Sequence, residues 1–173
     1  EAIEKSPQAR EFAKAHFNLD VKPESALKEF APDSFDVITL WHVMEHLEHL
    51  NEVWGRLREL LTEKGVLIVA VPNCSSYDAK RYGEYWAAYD VPRHLWHFTP
   101  GTIQQLASRH GFIMAARHPM PFDGFSIYAE RETLWQFVQF PERDVCRHAG
   151  LVQRFGTKGT EQFYDLRIPK KEI

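Results

Sequence analysis

The sequence predicts an α/β fold, a three-layer sandwich in which helices cover a mostly parallel sheet. Three observations carry this expectation. Two short apolar runs rich in β-favouring residues, FDVITLW at 35–41 and VLIVAV at 66–71, read as strands. A helical pattern lies between them, and a further helix-then-strand pair follows at 99–117. Continuous apolar runs suit strands buried on both faces, and the helix–strand rhythm suits parallel neighbours joined by crossovers. With 173 residues, 44% of them hydrophobic, the chain can bury one substantial core. The expected organisation is an α/β part over 1–125, with 126–173 as a C-terminal extension of the same unit.

The elements follow in order. Ile3 and Glu4 read as the end of a strand that begins the chain. Ser6-Pro7 then starts a helix over about 7–17: serine accepts from free amides, proline suits the first turn, and Ala9, Phe12, Ala13 and Phe17 recur at helical spacing. Pro32-Asp33-Ser34 is a turn ahead of the first apolar run. Leu50, Val53, Trp54, Leu57, Leu60 and Leu61 mark one face of a helix expected to stop near Gly65, where glycine can take a left-handed turn. The stretch 74–98 lacks periodicity and is crowded with aromatics and prolines, so a long ordered loop with short helical pieces is expected. Thr99-Pro100 opens a helix closed by Gly111, and 112–117 reads as a strand. Beyond Pro121 a helical piece around 130–140 and a strand around 161–168 are expected.

Composition excludes several classes. A net charge of -3 supplies no general basic field for phosphate backbones, even with a local patch at Arg167, Lys170 and Lys171, so nucleic acid is not the expected partner. No apolar run approaches the roughly 20 residues that span a bilayer, and no charged-then-apolar leader stands at the N-terminus. A protein without a membrane span, in the cytoplasm, with Cys74 and Cys146 reduced, is the expectation. Oligomeric state is left open by the sequence. Because Glu1 falls inside what reads as the end of an element, the chain is expected to be part of a longer polypeptide.

In open α/β sheets, ligands sit beyond the carboxyl ends of the strands. That rule selects three places. Glu4, at a strand end, is positioned to bind both ribose hydroxyls of an adenosine, or else is a solvated carboxylate favoured by the following helix dipole. His42-Val43-Met44-Glu45-His46 matches the H-x-x-E-H pattern of inverted zinc peptidases. Two histidines at that spacing share a face only in a helix, whereas His42 falls at a strand end, so no metal ligand is assigned; the other reading is that they pack or hydrogen-bond at the sheet edge. Arg93-His94-Leu95-Trp96-His97-Phe98, beside Tyr85, Trp86 and Tyr89, reads either as a lid that supplies a general base or as aromatic plugs whose histidines satisfy backbone carbonyls. Cys74, without an evident base, reads as a packed thiol.

Taken together, FDVITLWHVMEHL, LLTEKGVLIVAVPN and DVPRHLWHFTPGTIQQLASRHGF resemble the class I, Rossmann-like methyltransferases that use S-adenosylmethionine, in particular a bacterial group similar to ubiquinone-biosynthesis enzymes. The resemblance runs from Ile3 to Pro119. It implies S-adenosylmethionine as cofactor and a small-molecule methyl acceptor. It also implies Glu4 on the ribose, Ser25 and Ala26 in the loop flanking the adenine, Trp41 and His42 beside the methionine part, and His94 and His97 facing the acceptor as candidate bases. A first strand with a glycine-rich turn is implied ahead of Glu1, and an antiparallel closing strand directly after the sixth. Two other readings stay open: a methyltransferase-like binding module without catalysis, and the zinc hydrolase of the H-x-x-E-H pattern.

Overall fold

The computed structural model describes residues 1–120 and 161–169. The elements are β1 (Ala2–Ile3), α1 (Pro7–Phe17), β2 (Val21–Lys22), β3 (Phe35–Trp41), α2 (Leu50–Leu60), β4 (Leu61–Pro72), α3 (Tyr77–Tyr82), α4 (Pro100–Arg109), β5 (Ile113–Met120) and β6 (Glu161–Arg167). Short 3-10 turns at Glu24–Lys28 and Met44–His46, and two more between α3 and Asp90, fill the connections. The helix expected around 130–140, Cys146, and the patch residues Lys170 and Lys171 lie outside the described residues.

The helix starts form for the reasons legible in their residues. Ser6 accepts from the Ala9 amide with Pro7 behind it, and Asn18 closes α1 in the left-handed conformation. Thr99 and Thr102 form a reciprocal capping box at α4, and Gly111 follows its end at φ 76°.

The main sheet has the order β3-β4-β6-β5. β3 and β4 lie side by side in parallel, with Trp41 opposite Ala70. β6 is antiparallel to both of its neighbours, so β5 points the same way as β3 and β4 without touching them. Helix–strand alternation predicted adjacent parallel strands here; instead the antiparallel strand expected directly after the sixth comes from beyond residues 121–160 and inserts between the two. β1 and β2 pair in parallel as a separate two-stranded sheet.

One face of the main sheet is closed by α2 and α4. Leu67, Val69 and Val71 of β4 and Tyr164 and Leu166 of β6 meet Trp54, Leu57, Ile103 and Ala107 there, with Phe112 at the end of α4. Burying each such side chain is worth about 1.5–3 kcal/mol relative to exposure. The opposite face is more open among the described residues. β3, expected to be a buried strand, leaves Val37 and Trp41 about half exposed, because its main-sheet pairing is on the β4 side alone and α2 covers only Ile38 and Leu40.

Gly65 departs from its expected role. α2 ends at Leu60, and Leu61 is already extended, paired with Phe35. The register then jumps from Leu61 to Val66 on β4 against Phe35 to Val37 on β3, which is a bulge in β4. Gly65 lies in that bulge, where a Cβ would come within 2.8 Å of Leu61 Cδ2; close approach, not a left-handed turn, requires glycine there. No helix among the described residues is long and apolar enough to cross a membrane.

Candidate active site

The carboxyl ends of β3 and β4 frame the candidate site. The His42 amide extends the ladder by donating to the Ala70 carbonyl at 3.0 Å. His42 itself adopts φ 52°, a left-handed conformation uncommon for a residue with a Cβ, and this turns the chain out of the strand. The 3-10 turn Met44–His46 follows. It drives Met44 into the core and buries Glu45, whose side chain is 1% exposed. His42 and His46 therefore do not share a helical face, and the inverted zinc-peptidase geometry is absent from this segment.

The aromatic loop is stitched onto that turn. The amides of Leu95 and Trp96 both donate to the Glu45 carbonyl, at 2.7 and 3.3 Å. The Trp96 indole donates to the Leu47 carbonyl at 2.6 Å, and His46 Nδ1 lies 2.9 Å from the Arg93 carbonyl oxygen. The two flanks of the loop are tied to each other just past β4: Asn73 pairs with Phe98, and the Cys74 amide donates to the Phe98 carbonyl. Trp86, Ala79 and Ala88 form a small core beneath the loop, with Cys74, Tyr82 and Tyr89 packed on it. Burial pushes the Cys74 thiol up from its ordinary value, in keeping with a packed thiol.

The loop histidines sit on backbone carbonyls, as the plainer of the two sequence readings expects. His94 Nδ1 is 2.7 Å from the Ala88 oxygen, and His97 Nε2 is 3.0 Å from the Tyr89 oxygen. A carbonyl only accepts, so each of these nitrogens carries the proton, and in the neutral ring the other nitrogen keeps its lone pair. His94 Nε2 lies 3.9 Å from Asp90 Oδ2, and the His94 and His46 rings meet edge to face at 4.7 Å. His97 is exposed and meets Tyr89 edge to face.

The candidate cofactor residues fall into two groups. Glu4 follows β1 and uses one carboxylate oxygen to accept the Ser6 amide at 2.8 Å, just ahead of α1. β1 packs beside the turn Glu24–Lys28, which carries exposed Ser25 and buried Ala26. Trp41, half exposed, and His42 form the second group at the end of β3, with Trp41 beside the ring of Phe163. Lys5 bridges the two groups by pairing with Glu48 at 3.3 Å, just past the Met44–His46 turn. Arg56 of α2 also holds the segment after Ser25 and Ala26, by donating to the carbonyls of Leu27 and Phe30.

Sequence reading missed Asp90. It closes the last 3-10 turn at φ 36°, pairs with Arg93 at 2.8 Å and faces His94. Its position in YDVPRH, a turn-type residue two before a proline, was the available signal. It missed too that His46 groups with Glu45 and His94, while His42 reaches only Glu45 of these, at 3.3 Å. One oxygen of Glu45 and one nitrogen each of His46 and His94 all lie within 4.8 Å of one another.

No curated protein matches the sequence. Among solved structures, the chain resembles an S-adenosylmethionine-dependent methyltransferase from Archaeoglobus fulgidus at 13% identity, covering 95% of this chain and 73% of that one with a TM-score of 0.60. A second from Thermotoga maritima shows 12% identity over 96% and 72% of the chains, TM-score 0.61. Phosphoethanolamine N-methyltransferase 2 of Haemonchus contortus, solved with S-adenosyl-L-methionine, shows 17% identity over 97% of this chain and 43% of that one, TM-score 0.56. At these identities the likeness is one of fold. The sequence model described as a methyltransferase domain matches residues 1–116, which is the larger part of the molecule and includes β3, β4 and the aromatic loop. The chain belongs to that methyltransferase-domain family.

Proposed function

We propose that the chain transfers a methyl group from S-adenosylmethionine to a small, partly apolar acceptor, in the cytoplasm. The observation that carries the reading is the convergence on one sheet end. The β3–β4 parallel pair, the left-handed turn at His42 and the aromatic loop all meet there, and the ion pair of Lys5 with Glu48 brings the end of β1 to the same side. The residues suit the cofactor's chemistry: a carboxylate for ribose hydroxyls at Glu4, a turn beside the adenine at Ser25 and Ala26, and at the β3 end a half-exposed Trp41 with His42 for the methionine part. The resemblance of the DVPRHLWHFTP segment to ubiquinone-biosynthesis enzymes supports a small acceptor beside the loop aromatics.

Bound there, S-adenosylmethionine supplies an electrophilic methyl group on its sulfonium. The chain's work is to hold donor and acceptor in line and to keep water out. Where the acceptor is an oxygen or nitrogen, a proton must also leave. His94 through Nε2, or His97 through Nδ1, is the base this reading assigns; the carbonyl contacts that hold the other nitrogen of each ring support it.

Calorimetry with S-adenosylmethionine tests the cofactor half of the reading. Saturable heat that weakens in Glu4→Ala and Trp41→Ala is expected. Absence of heat overturns it and favours a binding module without catalysis. Turnover of His94→Ala and His97→Ala with an accepted substrate tests the base; unchanged rates in both remove that assignment.

A further inference from the structure

We propose that Glu45, His46 and His94 form a binding site for a divalent transition-metal ion of the zinc class. The site needs neither S-adenosylmethionine nor methyl transfer to be measured, so it stands or falls apart from the function proposed above.

Three independent observations meet at one point. The first is proximity: a carboxylate oxygen of Glu45 and one nitrogen each of His46 and His94 lie within 4.8 Å of one another. The second is a buried carboxylate without hydrogen bonds. Glu45 is 1% exposed, and among the described residues neither of its oxygens has a hydrogen-bond partner. His42 Nδ1 stands 3.3 Å from Oε1, near enough for attraction when protonated but not aligned as a hydrogen bond. A carboxylate taken from water in this way is normally paired or bound to a metal.

The third observation is the state of the two imidazoles. His46 Nδ1 is held by the Arg93 carbonyl and His94 Nδ1 by the Ala88 carbonyl, at 2.9 and 2.7 Å. Both contacts place the proton on Nδ1 and leave the Nε2 lone pair as the donor. That is the outer-shell arrangement which orients metal-bound histidines and fixes their tautomer. The two rings come from chain segments 48 residues apart, and the Leu95 and Trp96 amides on the Glu45 carbonyl lock those segments together.

Two imidazoles and one carboxylate suit zinc, cobalt, nickel or iron(II) better than magnesium or calcium, which prefer all-oxygen surroundings. Three protein ligands leave at least one position open. His46 is exposed, which gives an ion a route in. Ligands around tetrahedral zinc stand roughly 3.4 Å apart, given Zn–N distances near 2.1 Å, so a small rotation of exposed His46 completes the closure. The open position would take an oxygen of the acceptor, and an ion-bound hydroxyl loses its proton more readily. With His94 engaged as a ligand, His97 through Nδ1 is left to accept that proton.

The test uses the untagged protein after chelation and dialysis. Titration with cobalt(II), followed by its visible d–d absorption, and with zinc(II) by calorimetry should give one ion per chain. His46→Ala and Glu45→Gln should each weaken binding at least tenfold, while His97→Ala should leave it unchanged. His46 is exposed, so its alanine variant should keep the fold, checked by circular dichroism. Absence of stoichiometric binding of both ions, or wild-type affinity in His46→Ala and Glu45→Gln, overturns the site.

Discussion

Replacing Glu45 with methionine should stabilise the metal-free protein. The side chain is 1% exposed and among the described residues makes no hydrogen bond through either oxygen, so the substitution strands no hydrogen-bond donor there. Methionine is of similar length and flexible enough to fill the same space. Exchanging a poorly satisfied buried ion for an apolar side chain gains about 1–4 kcal/mol. Against this stands the lost attraction to His42, whose side chain is 36% exposed and can be rehydrated; that is worth up to about 1 kcal/mol. The net expectation is a gain of up to about 3 kcal/mol. For a chain of this size it raises Tm by up to roughly 12 °C, at about 2–4 °C per kcal/mol. Thermal unfolding followed by circular dichroism in excess chelator makes the measurement. Zinc at about 100 times its Kd should add about 2.7 kcal/mol to the wild type alone, shrinking or reversing the gap. A metal-free Glu45→Met protein that melts below the wild type would refute the reasoning, since it would mean that the carboxylate has bonding the structure lacks.

Further expectations concern the frame. Gly65→Ala should cost about 1–3 kcal/mol in chemical denaturation, because its Cβ meets Leu61 and the Thr62 carbonyl at 2.8–2.9 Å inside the bulge; a neutral result would show that β4 can shift there. Thr99→Ala should cost about 1 kcal/mol by removing the capping box of α4, with faster amide exchange in the first turn of that helix as the local readout. His110 has its pKa lowered, first by burial and then by Arg109. Its folded value is thus below the unfolded one, near 6.5, so the stability it contributes is complete above pH 6.5 and is lost as pH falls through the folded pKa. His110→Gln should flatten part of that acid-side slope, and an unchanged slope would reject the assignment.

Much of the fold was legible because its signals are local. Ser6, Thr99 and Gly111 act within a few residues of themselves, and the runs at 35–41 and 66–71 carry β-favouring side chains irrespective of neighbours. The site was legible in part. The strand-end rule drew attention to His42, Glu45, His46 and the Arg93–Phe98 loop, and the strand end at His42 already argued against a helical His42–His46 pair, yet the H-x-x-E-H spacing gave no sign that His46 meets His94. The left-handed turn at His42 separates the two histidines of that pattern, and nothing in the letters of the motif announces the turn.

The chain's own letters determined that strands, helices and a long aromatic loop would alternate, since capping and side-chain shape are settled within a turn or two of backbone. Tertiary structure decided which strands touch: β6 enters between β4 and β5 because hydrogen-bond ladders join residues roughly a hundred positions apart in sequence, such as Leu67 and Leu166. It decided the chemistry of the imidazoles as well. His46 and His94 keep a lone pair on Nε2 because carbonyls at Arg93 and Ala88 hold their Nδ1 atoms, and a proton's place on a ring follows its neighbours in space.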